Sequence, residues 1–332
     1  ILTVSGASIS LGFLLLSRLE APWQLYVLYG GFVGIGFCTH DVITLSTVAR
    51  WFEKRRGMMT GLVKVGTGLG QLLFPLIATV LIATFGWRNA FMFIGAGALV
   101  VLILLAQILR RDPRDMGLLP DGEDGDSIKN ASSRKDRSLS IRTVIGTGQF
   151  WIICVAEFTI FFCLLTTIVH IIPHARDTGL PPTTAAAVLS TIGGVSMLGR
   201  FVMGTANDKI GGKRSLIICL ILLVASLVLL QLDSAAWLLF LFAIVYGFTH
   251  GGLFTVISPF VAELFGTGSH GALFGIILFC GTLGGSIGPW LAGYIFDATG
   301  TYRLAFIVLT VLAATGLGLI CCLRPLKRTN QA

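Results

Sequence analysis

Ten apolar stretches follow one another along this chain, and nearly all of its charge is confined to the gaps between them. They run near residues 1–17, 22–48, 58–84, 88–109, 148–173, 183–206, 215–232, 236–262, 271–296 and 303–324. Crossing a bilayer as a helix takes about 20 apolar residues. A backbone in hydrocarbon must also satisfy its N–H and C=O groups internally, which leaves only helices and closed barrels. The runs are near-continuous rather than alternating, so they favour helices over the weak alternation of a barrel. Charged residues make up 12% of the chain, where a soluble domain has about a quarter. The expected class is all-α integral membrane, and the 41 glycines suit helices that pack closely in lipid.

The chain also repeats itself. Ala21-Pro22-Trp23 recurs as Ala235-Ala236-Trp237, and Gly57-x-x-x-Gly61 as Gly271-x-x-x-Gly275, each 214 residues later. Trp87-Arg88-Asn89-Ala90-Phe91 recurs as Tyr302-Arg303-Leu304-Ala305-Phe306, 215 later. Residues 1–110 therefore correspond to roughly 215–325, and the two long apolar segments within 149–207 have no counterpart ahead of Ile1. This predicts two pseudo-repeated bundles, with ten helices present as helices 3–12 of twelve and the chain truncated at its N-terminal end. The expected domains are 1–110, a remnant of the N-terminal bundle with helices 3–6; 111–146, a linker; and 147–332, a six-helix bundle (helices 7–12) with a tail. The linker carries seven of the sixteen acids, Pro113, Pro120, Asp121-Gly122 and a Ser-rich run, a composition that stays solvated.

The distribution of basic residues sets the orientation. One set of loops, with the C-terminal tail, holds 18 of the 24 Lys and Arg, among them Arg50, Lys54, Arg55, Arg56, Lys129, Arg134, Lys135, Arg137, Arg324, Lys327 and Arg328. The opposite loops hold Arg18, Arg88, Arg176 and Arg303. The linker and C-terminus are therefore expected in the cytoplasm, in a multi-pass protein of the plasma membrane, here a bacterial inner membrane. The net charge of +8 is accounted for by this asymmetry and implies no nucleic-acid partner. The seven Cys are scattered through apolar segments without a CxxC pair, and no His clusters with Cys or carboxylates at ligand spacing. No metal site and no cofactor is expected, and no nucleophile–base pair points to an enzyme.

Two basic residues, Lys64 and Arg200, fall inside spans. Arg200 lies about two turns before Asp208, deep enough that its charge costs at least a few kcal/mol unless it faces a polar cavity. Its planar fork matches a carboxylate, and a structural arginine reaching the cytoplasmic face is the other role open to it. Lys64 lies two turns into its stretch, as a second anion partner or a snorkelling lysine. His40-Asp41, Glu157, His170 and His250 are candidates to line the path or to sit hydrogen-bonded in the core. Asp41 and Glu157 are the candidate proton carriers, since burial raises a carboxylate's pKa. His174 is expected at the water interface. Gly204-x-x-x-Asp208-Lys209-x-Gly211-x-Lys213-Arg214 closes one stretch and opens the next: Gly204 permits close contact, Asp208 accepts from backbone N–H groups or pairs with a base, and Gly211 permits a tight turn.

That pattern resembles the signature cytoplasmic loop of the major facilitator superfamily, in its second-half copy. Arg50-Trp51-Phe52-Glu53-Lys54-Arg55-Arg56-Gly57, Phe85-Gly86-Trp87-Arg88, Gly117-Leu118-Leu119-Pro120-Asp121-Gly122 and His170-Ile171-Ile172-Pro173-His174-Ala175-Arg176-Asp177 narrow the resemblance to the monocarboxylate transporters and the oxalate:formate antiporter group. It extends over essentially the whole chain. It implies the major facilitator fold and a secondary transporter of a small carboxylate, working by alternating access as a proton symporter or anion exchanger and functioning as a monomer in the lipid bilayer. In that family an arginine at the place of Arg200 binds the substrate carboxylate. Lys64, His170 and His40 are the further candidate substrate-binding residues, read from their places in this sequence. Arg50, Arg55 and Arg56 would join the Gly204–Arg214 motif in a cytoplasmic gate. Two departures stand out: Ser196 replaces the acid one turn before the arginine in animal monocarboxylate carriers, and no charge occurs between Gly271 and Asp297, where the oxalate carrier has a lysine. The same fold carrying a dicarboxylate or exporting a drug, or acting as a membrane sensor without transport, are the rival readings.

Overall fold

The structure is a computed structural model and describes residues 1–122, 140–232 and 235–323. The centre of the expected linker and the tail, with Lys129, Arg134, Lys135, Arg137, Arg324, Lys327 and Arg328, lie outside the described residues. The described residues are helical with short connections, as the apolar runs predict. The long helices are α1 (Leu2–Leu16), α2 (Pro22–Trp51), α3 (Arg56–Ile108), α4 (Gly148–Asp177), α5 (Pro182–Ile210), α6 (Gly212–Leu229), α7 (Ala236–Phe265), α8 (His270–Thr299) and α9 (Arg303–Cys322). Among the described residues, eight helical segments are long and apolar enough to cross a membrane, and α1 is a shorter apolar helix.

Two stretches expected as separate, 58–84 and 88–109, follow directly on each other in α3. The break is one residue, Gly86, whose φ of 77° and ψ of 159° no helix accommodates. A side chain there would be strained, so glycine does the work of a loop. Gly211, at φ 85°, performs the same reversal between α5 and α6.

The chain forms two compact units, Ile1–Glu53 with Gly70–Ile128, and Lys54–Leu69 with Lys129–Ala332. The first four turns of α3 thus belong to the second unit. In the first unit α1 packs on α2, where Thr39 Oγ1 donates to Ser5 Oγ at 2.6 Å and Ser8 Oγ donates to the Phe32 carbonyl at 2.8 Å. α2 widens into π-helical turns over Tyr26–Val33. Its C-terminal end is tied to the chain beyond α3 by Trp51 Nε1, which donates to Arg110 O at 3.0 Å.

In the second unit α7 lies along α5 and α8 along α4. Both pairs meet through glycine. A Cβ on Gly251 would collide with the Ser196 carbonyl, and one on Gly284 with the Phe158 carbonyl. Small residues at these positions let backbones touch, which replaces the hydrophobic driving force that lipid removes. Helix ends are closed from neighbouring elements: Glu263 Oε2 accepts from Gly212 N at 2.9 Å, and Lys213 Nζ donates to the Cys321 and Leu323 carbonyls at 3.0 and 2.7 Å. Large apolar side chains such as Trp237 and Trp290 remain exposed.

Candidate functional site

Arg200 sits in α5 and is 2% exposed; Lys64 in the first turns of α3 is 4% exposed, and Glu157 in α4 is 1% exposed. Three side chains that water would normally solvate are therefore enclosed in one unit. Burying such charges is costly unless they answer one another or a ligand.

Their surroundings connect them. The Lys64 ammonium stands 5.7 Å from the centre of the Phe254 ring on α7, a cation–π distance. Phe254 packs on Phe161 of α4 with centroids 5.0 Å apart, and on His250, one turn earlier in α7, also at 5.0 Å. Phe161 and Glu157 are one turn apart and both flank Gly281 of α8: a Cβ there would stand 3.0 Å from Glu157 Cγ and 3.2 Å from the Phe161 ring. His250 precedes Gly251, where a Cβ would stand 2.9 Å from the Arg200 backbone nitrogen. The Arg200 guanidinium lies against Gly68, one turn beyond Lys64, where a Cβ would stand 2.5 Å from Nη1. Lys64, His250 and Phe161 thus gather around Phe254, with Glu157 one turn from Phe161 and the Arg200 guanidinium against Gly68. His250 is 7% exposed.

The Gly204–Arg214 motif is at the end of α5. Asp208 is the cap of α3: its two carboxylate oxygens accept from Gly57 N at 2.6 Å and Met58 N at 2.8 Å. These are two of the donors that a helix start leaves without an intrahelical acceptor, at the positive end of its dipole. Gly57 and Gly204 approach backbone to backbone. Lys213 caps α9, while Lys209, Arg214 and Arg55 are exposed, and Arg56 is half-buried. Arg50, half-buried at the end of α2, belongs to the first unit.

Other expected residues stand apart. His40 is exposed and Asp41 half-buried, both on α2 in the first unit. His170 is 13 residues beyond Glu157, roughly 20 Å along α4. Its ring is held by Tyr302 Oη at 3.2 Å from Nδ1 and by the Pro289 carbonyl at 2.9 Å from Nε2. A cavity of about 410 Å³ near that end is lined by His174, Asp177, Tyr302 and Phe306, not by the charged group around Arg200. Phe254 and Phe161 escape a reading of the sequence, because phenylalanines in an apolar run look like any lipid-facing or core stripe. Ser196, one turn before Arg200, donates to the Gly193 carbonyl at 2.7 Å and is 1% exposed.

The sequence profile of the Major Facilitator Superfamily matches residues 1–201 and 158–332. Monocarboxylate transporter 13 of Rattus norvegicus is 28% identical over 327 residues, covering 96% of this chain and 72% of its own length. Monocarboxylate transporter 12 of Mus musculus is 23% identical over 351 residues, covering 98% of this chain and 72% of its own. Among solved structures, the fucose:proton symporter FucP of E. coli superposes with a TM-score of 0.71 at 13% identity, over 97% of this chain and 83% of that one, a likeness of fold.

Proposed function

This chain belongs to the Major Facilitator Superfamily and is a multi-pass membrane transporter, and from that premise we propose that its cargo is a small carboxylate of the monocarboxylate type. The observation that carries the proposal is Arg200: a guanidinium 2% exposed inside a membrane helix, with Lys64 one turn from its contact on α3. A carboxylate answers a guanidinium with two parallel hydrogen bonds, and the low dielectric of the site strengthens both. The two monocarboxylate transporters at 28% and 23% identity support the same class of solute.

The transport cycle in this proposal is alternating access of a midplane site, as proton symport or as anion exchange. Asp41 and Glu157 are the carboxylates proposed to carry the proton, and His40 and His170 the imidazoles proposed to meet the solute elsewhere along its path. Gly204, Asp208, Lys209, Gly211, Lys213, Arg214, Arg55 and Arg56, with the capped start of α3, form the gate on the cytoplasmic side. The protein works as a monomer in a plasma membrane, with 111–146 as a cytoplasmic linker between bundles 1–110 and 147–332 and its C-terminus in the cytoplasm.

The test is substrate binding and uptake in liposomes holding equal amounts of wild type, Arg200→Lys and Arg200→Ala. A hydrogen bond to a charged group contributes about 1.5–3 kcal/mol net, roughly ten- to a hundredfold in affinity. Arg200→Lys keeps the charge but loses the two-point fork, so its affinity falls by about that range. Arg200→Ala inserts normally and loses uptake. Unchanged carboxylate affinity in the Ala variant makes Arg200 structural and removes the proposal.

A further inference from the structure

The cavity of about 410 Å³ lies in the second unit, at the end of α4 and α5 opposite the Gly204–Arg214 motif. Neither the candidate site nor the proposed gate uses it. Its lining brings an acid and a base together, Asp177 from the end of α4 and Arg303 from the start of α9. The rest of the wall is largely aromatic. Phe296 stacks on Tyr302 with centroids 4.4 Å apart, Tyr302 on Phe306 at 5.9 Å, and His174 meets Phe306 edge-on at 4.8 Å. We propose that this cavity binds a zwitterion carrying a primary ammonium and a phosphate, the chemistry of an ethanolamine phosphate headgroup. The proposal stands apart from the carboxylate reading, since it uses none of the residues proposed to hold the cargo.

The balance of charge selects the class of ligand. Asp177 and Arg303 are opposite in sign, and so are Arg176 and Asp297 next to the lining residues Asp177 and Phe296; all four are exposed. A plain anion or a plain cation meets one attractive and one repulsive partner there, whereas a zwitterion meets two attractive ones. The helix ends select the ammonium. Thr178, Leu230 and Gly300 are the C-caps of α4, α6 and α8, and all three line the cavity. A helix ends in carbonyl acceptors, at the negative pole of its dipole. Together with the Asp177 carboxylate they call for a cation that also donates hydrogen bonds. A primary ammonium does so, and a quaternary one, with no N–H, does not. Aromatic faces attract the same cation. Arg303 takes the phosphate, whose oxygens match its guanidinium fork.

Depth favours a phosphate as the anionic half. α4 and α8 have 30 residues each. At 1.5 Å per residue that is roughly 45 Å, the thickness of a bilayer with its headgroups. A cavity bounded by their last turns is therefore level with the headgroups. Leu232 in its lining is exposed, as are Leu304 and Ile307 beside Arg303 and Phe306, so apolar surface for acyl chains adjoins the polar cavity. The same ammonium and phosphate could also arrive free in water, and the two sources are separable by experiment.

The experiment titrates purified, delipidated protein in detergent with phosphatidylethanolamine, phosphatidylglycerol and phosphatidylcholine of identical chains, read by native mass spectrometry. The wild type binds phosphatidylethanolamine about three- to tenfold more tightly than the other two, the lower part of the range for a charged hydrogen bond because the cavity is open to water. Asp177→Asn removes that preference without weakening phosphatidylglycerol. Arg303→Gln weakens phosphatidylethanolamine and phosphatidylglycerol together. Soluble O-phosphoethanolamine then identifies the source: if it displaces the lipid and raises the melting temperature by itself, the free zwitterion is a ligand, and if it does neither, the lipid-borne headgroup is. Equal binding of phosphatidylethanolamine and phosphatidylglycerol by the wild type overturns the proposal, and that comparison needs no variant to fold. An unchanged preference in Asp177→Asn overturns it as well. Displacement of phosphatidylethanolamine by lactate makes the cavity an antechamber for cargo and equally overturns it.

Discussion

Replacing Asp208 should loosen a helix that is 150 residues away in sequence. Its carboxylate accepts from Gly57 N at 2.6 Å and Met58 N at 2.8 Å, and both bonds lie at the start of α3. Each charge-assisted bond contributes about 1.5–3 kcal/mol net, and the dipole of the helix start adds about 0.3–1. The pair is only part-buried, so water takes over some of what Asp208→Ala removes. A loss of about 2–3 kcal/mol in local protection is the expectation, equivalent to roughly 30- to 100-fold faster opening at 1.4 kcal/mol per tenfold. Residue-resolved hydrogen exchange in nanodiscs reads this directly. The amides of Gly57 and Met58 should exchange faster by that factor while those in the middle of α4 and α7 hold their rates. Asp208→Asn, which retains one neutral acceptor, should lose about half as much in free energy. Unchanged exchange at both amides in the Ala variant would falsify the capping argument.

Gly251→Ala forces a Cβ into the Ser196 carbonyl and should lower stability by about 1–3 kcal/mol, read as a drop in melting temperature in detergent; Gly66→Ala, where nothing lies within 4 Å, is the neutral comparison. Tyr302→Phe removes the hydroxyl that meets His170 Nδ1 and should cost about 0.5–1.5 kcal/mol in the same melts; an unaltered melt would mean that the Pro289 carbonyl holds the ring alone. In a background freed of the seven native cysteines, Cys introduced at Ser133 and at Gln331 should label only after permeabilisation; labelling of either in intact cells breaks the expected topology.

The apolar runs were legible because the bilayer imposes their length whatever the side chains do. Arg200 was legible for the same reason inverted: a guanidinium inside such a run must answer to something. The meeting of Lys64 with the Phe254 ring was not. They are separated by 190 residues, sit on different helices, and Phe254 carries no distinguishing mark in sequence. Asp208 offered two partners, a backbone or a base, and only the packing of Gly57 on Gly204 decides between them. Gly86 hid a boundary, since a connection of one residue leaves almost no gap between apolar stretches. On α2, the π-helical turns over Tyr26–Val33 rotate everything beyond them, so a helical wheel drawn from Pro22 misplaces the face of His40 and Asp41.

The glycine seam between α5 and α7 has a consequence for how this protein would respond to selection. A Cβ at Gly251 would meet not only the Ser196 carbonyl but also the backbone nitrogen of Arg200, at 2.9 Å. The main chain of the residue proposed to hold the cargo is thus positioned by the bare backbone of the neighbouring helix. A screen for altered substrate affinity should therefore recover changes along that seam, at positions that never touch the solute, as readily as in the lining of the site. Such variants would shift where the guanidinium begins rather than what surrounds it, and they would be misread as distant or allosteric.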